Sequence, residues 1–445
     1  MLSRLFGRRR SGGRRVIVIG LDGVPYSFIA RHAQNRDLPN IAEMMRSGSL
    51  FRINSVIPTV SSCAWSSYMT GENPAGHGIF GFIDRRPNPF SLFIPNARNL
   101  RAETIWEKLS RHGRRVIVIN VPVTYPPKPV NGILIGGFLG TDVSRIGYPP
   151  RINRTLERMN YVIDVDAGKG HTDREGFMEE IHRAFERRIE VAKYLMEKER
   201  WDFLQLHVME TDRVNHFFWE DYERGEPNFA PKFMDLYRKI DNYLGEIWNR
   251  FGEKGNCEVI VLSDHGFCTL KKEVYLNYWL EREGYLKFRS EGSRSLENIA
   301  PESKAYSLIP GRIFINLKGR EEMGSVEKED YEPLRDEIAE RLIEELRDPE
   351  DGTPIVERVY RREEIYDGPY LEEAADLIAV PKAGYDLKGK VSVRELTGRG
   401  RIVGMHTYDD AFLLVRGDLS LGEEDRWIGG ANGLVLRLCG MDGES

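Results

Sequence analysis

Arg15-Val-Ile-Val-Ile-Gly-Leu-Asp-Gly23 is an unbroken apolar run that ends in Gly, Asp and Gly. Continuous β-branched residues, without polar alternation, describe a strand buried on both faces that delivers a carboxylate at its C-terminal edge. In open α/β sheets that edge is where sites are built, although an Asp there also serves as an ordinary turn cap. The same pattern recurs along the chain. A helical segment over 104–113 leads into Arg114-Arg-Val-Ile-Val-Ile-Asn120, and a long one over 174–199, expected to face solvent, leads into a buried strand over 203–208. An amphipathic segment over 231–251, with Phe233, Leu236, Ile240, Tyr243, Leu244 and Ile247 in a core-facing stripe, precedes Asn256-Cys-Glu-Val-Ile-Val-Leu-Ser-Asp-His-Gly266. This alternation predicts an α/β fold: a mostly parallel central sheet with helices on both faces.

Further strands are expected at 133–138, at 161–165 and, last in the core, at 411–415. Residues 271–395 break the alternation, with helices near 274–283 and 331–347 and strands at 311–316, 354–360 and 377–379. They are expected to form an inserted α+β cap or subdomain. The catalytic core then comprises 15–270 and 396–440, behind a basic, disordered tail over 1–14.

At 445 residues the chain can bury a large core, and its 41% hydrophobic and 30% charged content describes a soluble globular protein. Sixty-four basic and 69 acidic residues leave a net charge of −5, which gives no global reason to expect nucleic acid as a partner. The four cysteines show no CxxC spacing, as expected of a reducing compartment. The first 15 residues carry six arginines, no acid and no apolar signal core, which predicts a cytoplasmic protein. Weak contact with an anionic membrane or RNA is one use for that tail. No apolar run is long enough to span a membrane, and no obligate protein partner is evident.

The chemistry gathers around Pro58-Thr-Val-Ser-Ser-Cys-Ala-Trp-Ser-Ser-Tyr-Met-Thr-Gly71, where an extended apolar segment over 50–57 turns into a short helix. Ser61 is placed at that helix's N-terminus, where backbone N–H groups favour an anion; Ser is also a common structural cap. Asp22, Asp264 and His265 stand at strand ends. Asp212 and His216 share a face if their segment is helical, and His406 arrives from a loop over 398–409. Three Asp and three His supply six ligands of mixed N/O type, with Ser61 as a seventh, a set suited to two divalent ions. Such a pair can activate an oxygen nucleophile and stabilise a leaving oxygen. The other histidines, His32, His77, His112, His171, His182 and His207, are expected to be structural or exposed.

In order, Asp-Gly after the first strand, Pro-Thr-x-Ser before a helix ending Thr-Gly-x-x-Pro-x-x-His-Gly, Asp-x-x-x-His, Ser-Asp-His-Gly and a late Gly-x-His resemble the alkaline phosphatase superfamily. The closest branch is the type I phosphodiesterase/nucleotide pyrophosphatase group. Within it, Tyr306-Ser-Leu-Ile-Pro-Gly-Arg-Ile-Phe-Ile-Asn-Leu-Lys-Gly-Arg320 is similar to a subgroup of predicted phosphohydrolases or phosphomutases. The resemblance implies one metal held by Asp22, Ser61, Asp264 and His265 and a second by Asp212, His216 and His406. It also implies Ser61 as nucleophile, a phosphoserine intermediate, and zinc as the first and manganese as the second choice of ion. Nucleotide-binding relatives carry an Asn where this chain has Phe82, which weighs against nucleotides. Arg85 and Arg86 follow closely enough to be candidate contacts for a substrate phosphate, or simply surface charge. The expected activity is metal-dependent hydrolysis of a small phosphoric ester, by a phosphodiesterase or phosphatase. A phosphomutase with the same phosphoserine chemistry and a closing cap is one alternative, and a non-catalytic, metal-containing protein tethered by its basic tail is another. Sulfatase activity is disfavoured, since Ser61 and Cys63 lack the Cys/Ser-x-Pro-x-Arg context.

Overall fold

The computed structural model describes residues 14–253, 257–289 and 294–441; the expected basic tail, apart from Arg14, lies outside them. An eight-stranded sheet runs in the order Gly48–Ile53, Ala411–Arg416, Cys257–Leu262, Arg15–Leu21, Phe203–Val208, Val116–Ile119, Gly132–Ile135, Gly147–Tyr148. From Cys257–Leu262 to Gly132–Ile135 the pairing is parallel, and the outer strands are antiparallel. Arg15–Leu21 thus occupies the middle. Its side chains alternate between two cores: Ile17, Ile19 and Leu21 enter one, with the Arg174–Lys198, Glu210–Arg224 and Ala230–Ile247 helices, while Val16 and Val18 enter the other, with Ser61–Thr70, Ile105–Arg111 and Gly430–Leu438. Both faces are covered, which is why the strand shows no polar alternation.

Three local expectations need correction. Residues 161–165 form no strand: Tyr161, Ile163 and Val165 are buried, but the Ile163 carbonyl accepts from Arg188 and the Val165 N–H donates to Asp164. The Arg174–Lys198 helix does not simply face solvent, since Phe177, Ile181, Phe185 and Leu195 bury one side of it in the core. His406 sits on a strand, Gly404–Thr407, paired antiparallel with Gly266–Thr269.

The inserted region carries a four-stranded antiparallel sheet in the order Ala305–Leu308, Arg312–Ile315, Leu377–Pro381, Val356–Arg361, and the Lys328–Glu345 helix. A third core gathers Trp279, Phe314, Ile338 and Leu377 and also takes in Ala75 and Phe80. Among the described residues no helix is long and apolar enough to cross a membrane.

Candidate metal centre and nucleophile

All seven predicted ligands converge at the C-terminal edge of the parallel strands. Asp22 follows Arg15–Leu21 directly and is fully buried. Ser61, the first residue of the Ser61–Thr70 helix, donates its hydroxyl to Asp22 Oδ1 at 3.0 Å and lies 3.3 Å from His265 Nε2. Val60, in extended conformation, takes the cap position, so Ser61 is free of capping duty. Asp264 Oδ1 accepts from the Gly23 amide at 3.1 Å. Gly23 has φ +66°, and a Cβ there would meet Phe267 at 2.7 Å, so the turn after Asp22 requires glycine.

The second group is built on the Glu210–Arg224 helix, where Asp212 and His216 share a face as their spacing predicts. Asp212 Oδ1 lies 3.3 Å from His216 Nε2 and 3.2 Å from His406 Nε2, and the two imidazole nitrogens are 3.0 Å apart. The His265 and His406 rings stack with centroids 3.7 Å apart, so the two groups are contiguous. Phe267 packs against His216, His265 and His406.

Proton placement shows that this cluster suits cations. His216 Nδ1 faces the Gly404 carbonyl at 3.0 Å, His406 Nδ1 the Thr59 carbonyl at 3.1 Å, and His265 Nδ1 the Gly266 carbonyl at 3.1 Å. A carbonyl only accepts, so each Nδ1 carries a hydrogen and each ring directs its Nε2 inward, where its lone pair is available to a cation. Two lone pairs at 3.0 Å repel unless a proton or cation lies between them, and two nitrogens on one tetrahedral zinc stand about 3.3 Å apart. The carboxylates agree. Asp264 Oδ2 is buried without a hydrogen-bond donor, and burial together with the neighbouring Asp22 and Asp212 charges pushes its carboxyl well above the usual range. Burial acts in the same upward sense on Asp22 and Asp212. For Asp22 it is outweighed by hydrogen bonds from His207 and His265, and for Asp212 by His216, His406 and Arg213, so both lie well below the usual range. Asp22, Asp264 and His265 can hold one ion. Asp212 and His406 gather with His265 around a second, with His216 Nε2 beside them.

Several supporting residues carry no motif of their own. His207, expected to be structural or exposed, is fully buried and places Nε2 2.8 Å from Asp22 Oδ2; Trp65 Nε1 donates to the same oxygen at 2.8 Å. Together they hold one carboxylate oxygen and leave the other for Ser61. Trp65 lies one turn after Ser61, a spacing that signals a shared face. It also crosses Gly20, where a Cβ would meet the indole at 2.3 Å. Arg213 bonds Asp212 Oδ2 at 3.0 Å and grips Asp164 at 2.6 and 3.1 Å. Its guanidinium lies 5.5 Å from the ring of Phe138, on which Phe82 stacks at 5.8 Å. Phe82, Phe138 and Arg213 thus form a partly aromatic wall beside Asp212.

Arg85 and Arg86 are not brought to this cluster. Both lie on the hairpin formed by Asp84–Pro87 and Phe90–Phe93. Arg85 is buried against Phe314 and pairs with Glu321 at 2.8 Å, and Arg86 lies over Phe93. Arg312, from the inserted region, donates to the Ile83 carbonyl and pairs with Asp84, which ties the hairpin to that region.

The fold is shared with solved structures of low sequence identity. Phosphonoacetate hydrolase from Sinorhizobium meliloti 1021, in complex with phosphonoformate, is 17% identical with a TM-score of 0.67 over 97% of both chains. Murine ectonucleotide pyrophosphatase/phosphodiesterase 5 is 16% identical with a TM-score of 0.56, over 97% of this chain and 96% of its own. These likenesses define an alkaline phosphatase-like α/β fold. The family model for type I phosphodiesterase/nucleotide pyrophosphatase matches residues 16–409, and the chain belongs to that family. It is thereby an enzyme of the phosphoric ester hydrolase class.

Proposed function

We propose that the protein hydrolyses a small phosphoric ester by transfer of the phosphoryl group to Ser61, at a centre that takes two divalent ions. Asp22, Ser61, Asp264 and His265 would hold one ion and Asp212, His216 and His406 the other; zinc is the first candidate and manganese the second. The observation that carries this reading is the convergence of inward-facing Nε2 atoms on buried carboxylates, one with an unpartnered oxygen. When bound, the ions would supply charge stabilisation for phosphoryl and leaving oxygens and would favour an ionised hydroxyl.

The chain's own residues set the rest of the chemistry. The Ser61 hydroxyl proton has two acceptors in reach, Asp22 Oδ1 at 3.0 Å and His265 Nε2 at 3.3 Å. The Ser61 oxygen forms a bond to phosphorus as the ester P–O bond breaks, and the leaving oxygen takes up a proton. Water then attacks the phosphoserine and Ser61 regains its proton, releasing phosphate. Position 61 at a helix N-terminus adds favourable potential for the phosphoryl group.

For the substrate, the Phe82–Phe138 wall favours an apolar or aromatic leaving group over one held by polar contacts at that position. The complex of the phosphonoacetate hydrolase with phosphonoformate adds phosphonates to the compounds worth assaying. A cytoplasmic location fits the four cysteines, none of them in a disulfide. The test is turnover of 4-nitrophenyl phosphate, the matching diester and phosphonoacetate by chelated and by zinc- or manganese-reconstituted protein. Metal-dependent release of product is expected from at least one ester. Equal turnover in excess chelator would overturn the metal assignment.

A further inference from the structure

A cleft of about 350 Å³ lies between the 84–93 hairpin and residues 320 and 372–373. None of the seven clustered residues lines it. Five arginines do: Arg85, Arg86, Arg98 and Arg101 from the core, and Arg320 from the insertion. Three carboxylates share the lining, and each already has a cationic partner. Asp84 pairs with Arg312, Glu372 with Arg362, and Glu373 takes Arg101 in a two-pronged contact at 2.6 and 2.5 Å. Arg320 is similarly committed to Asp376.

The remaining guanidinium groups are less completely paired. Among the described residues neither Arg86 nor Arg98 has a carboxylate partner; Arg86 has only the Phe93 ring, at 5.0 Å. Arg85, with a side chain only 3% exposed, must share Glu321 with Arg320, and its buried Nε makes no hydrogen bond. Buried guanidinium N–H groups without acceptors are costly, and an oxyanion is the ligand that satisfies their fork geometry. The cleft is of a size suited to a small molecule.

We propose that this cleft binds a phosphate-bearing small molecule, separately from the metal centre, and that the anion bridges the core hairpin to the inserted region. The geometry that carries it is the convergence, on one concave surface, of Arg86 and Arg98, which have no carboxylate partner among the described residues, and of Arg85, whose buried Nε lacks an acceptor. Because it does not rest on the chemistry at Ser61, it is tested without turnover.

The experiment is calorimetric titration of the full chain with inorganic pyrophosphate in excess EDTA, which removes ions from the catalytic centre. Wild type and Ser61→Ala are expected to bind alike. The double variant Arg86→Ala/Arg98→Ala, both sites exposed and outside either core, is expected to bind at least tenfold more weakly while its circular dichroism matches wild type. Malonate, a dicarboxylate control, is expected to bind more weakly than pyrophosphate. Unchanged affinity in the double variant, loss of binding in Ser61→Ala, or tighter binding of malonate would each overturn the proposal. If Arg98→Ala alone lowered ester turnover with pyrophosphate affinity intact, the cleft would belong to catalysis and the proposal would fail.

Discussion

Replacement of His207 by Phe isolates the support beneath the metal centre. Asp22 Oδ2 receives two donors at 2.8 Å, His207 Nε2 and Trp65 Nε1. The other His207 nitrogen, Nδ1, has no hydrogen-bond partner, so the bond to Asp22 is the polar function of this ring. Phe retains the edge contact with Trp65, now at 4.7 Å, and removes only the donor. A hydrogen bond to a charged group is worth about 1.5–3 kcal/mol, and loss of a residue that orients a ligand costs about 10–100-fold in metal affinity. The two scales agree at about 1.4 kcal/mol per tenfold. His207→Phe should therefore weaken the ion held with Asp22, Asp264 and His265 by roughly 10–100-fold, with little effect on the ion at Asp212, His216 and His406. His207→Gln, which still presents an N–H, should recover part of the loss. Zinc and manganese titration of chelator-stripped protein resolves the two sites. Wild-type affinity at both sites in His207→Phe would refute the reasoning.

Three further outcomes follow from the same geometry. Burial lowers the His77 pKa from 6.5 to about 3, and its Nδ1 accepts from the Ile79 amide. The unfolded chain takes the proton first, so this contribution to stability is complete above pH 6.5 and is lost as pH falls toward 3, at about 1.4 kcal/mol per pH unit. Denaturant unfolding between pH 7 and 5 should show a component of that slope that is absent in His77→Gln. Gly20→Ala should cost about 1–3 kcal/mol by overpacking against Trp65 and should also weaken metal binding, both measurable by thermal unfolding with and without zinc. Asp264→Asn should stabilise the chelated protein by about 1–3 kcal/mol, because it removes a buried carboxylate, one oxygen of which has no donor, from beside two others. With metal present the order of melting temperatures should reverse; a variant less stable in both states would contradict the burial argument.

The runs at 16–21 and 259–262 are legible as buried parallel strands because nothing polar interrupts them, and 203–208 is legible despite Gln205 and His207 because apolar residues fill its other positions. Sites at their C-terminal ends then followed from position alone. Asp212 and His216 were legible from helical spacing. His406 was read as a loop residue because its strand pairs with Gly266–Thr269, remote in sequence, and local pattern carries no trace of such a partner. Residues 161–165 alternate like a strand, yet their backbone groups are met in part by the remote Arg188 and by the local Asp164 carboxylate, side-chain partners that hydrophobic periodicity does not report. His207 was passed over because it sits inside an apolar strand, where its partner Asp22 becomes a neighbour only through the register that sets it opposite Gly20. Arg85 and Arg86 were near Ser61 in sequence but not in contact with it, since the hairpin carries them to the inserted region.

The most direct test of the account is ester turnover by Ser61→Ala at matched metal content. Elemental analysis should find about two ions per chain in both proteins, with a turnover roughly a thousandfold or more below wild type in the variant. Full metal-dependent turnover by a correctly loaded Ser61→Ala protein would contradict the assignment of Ser61 as nucleophile.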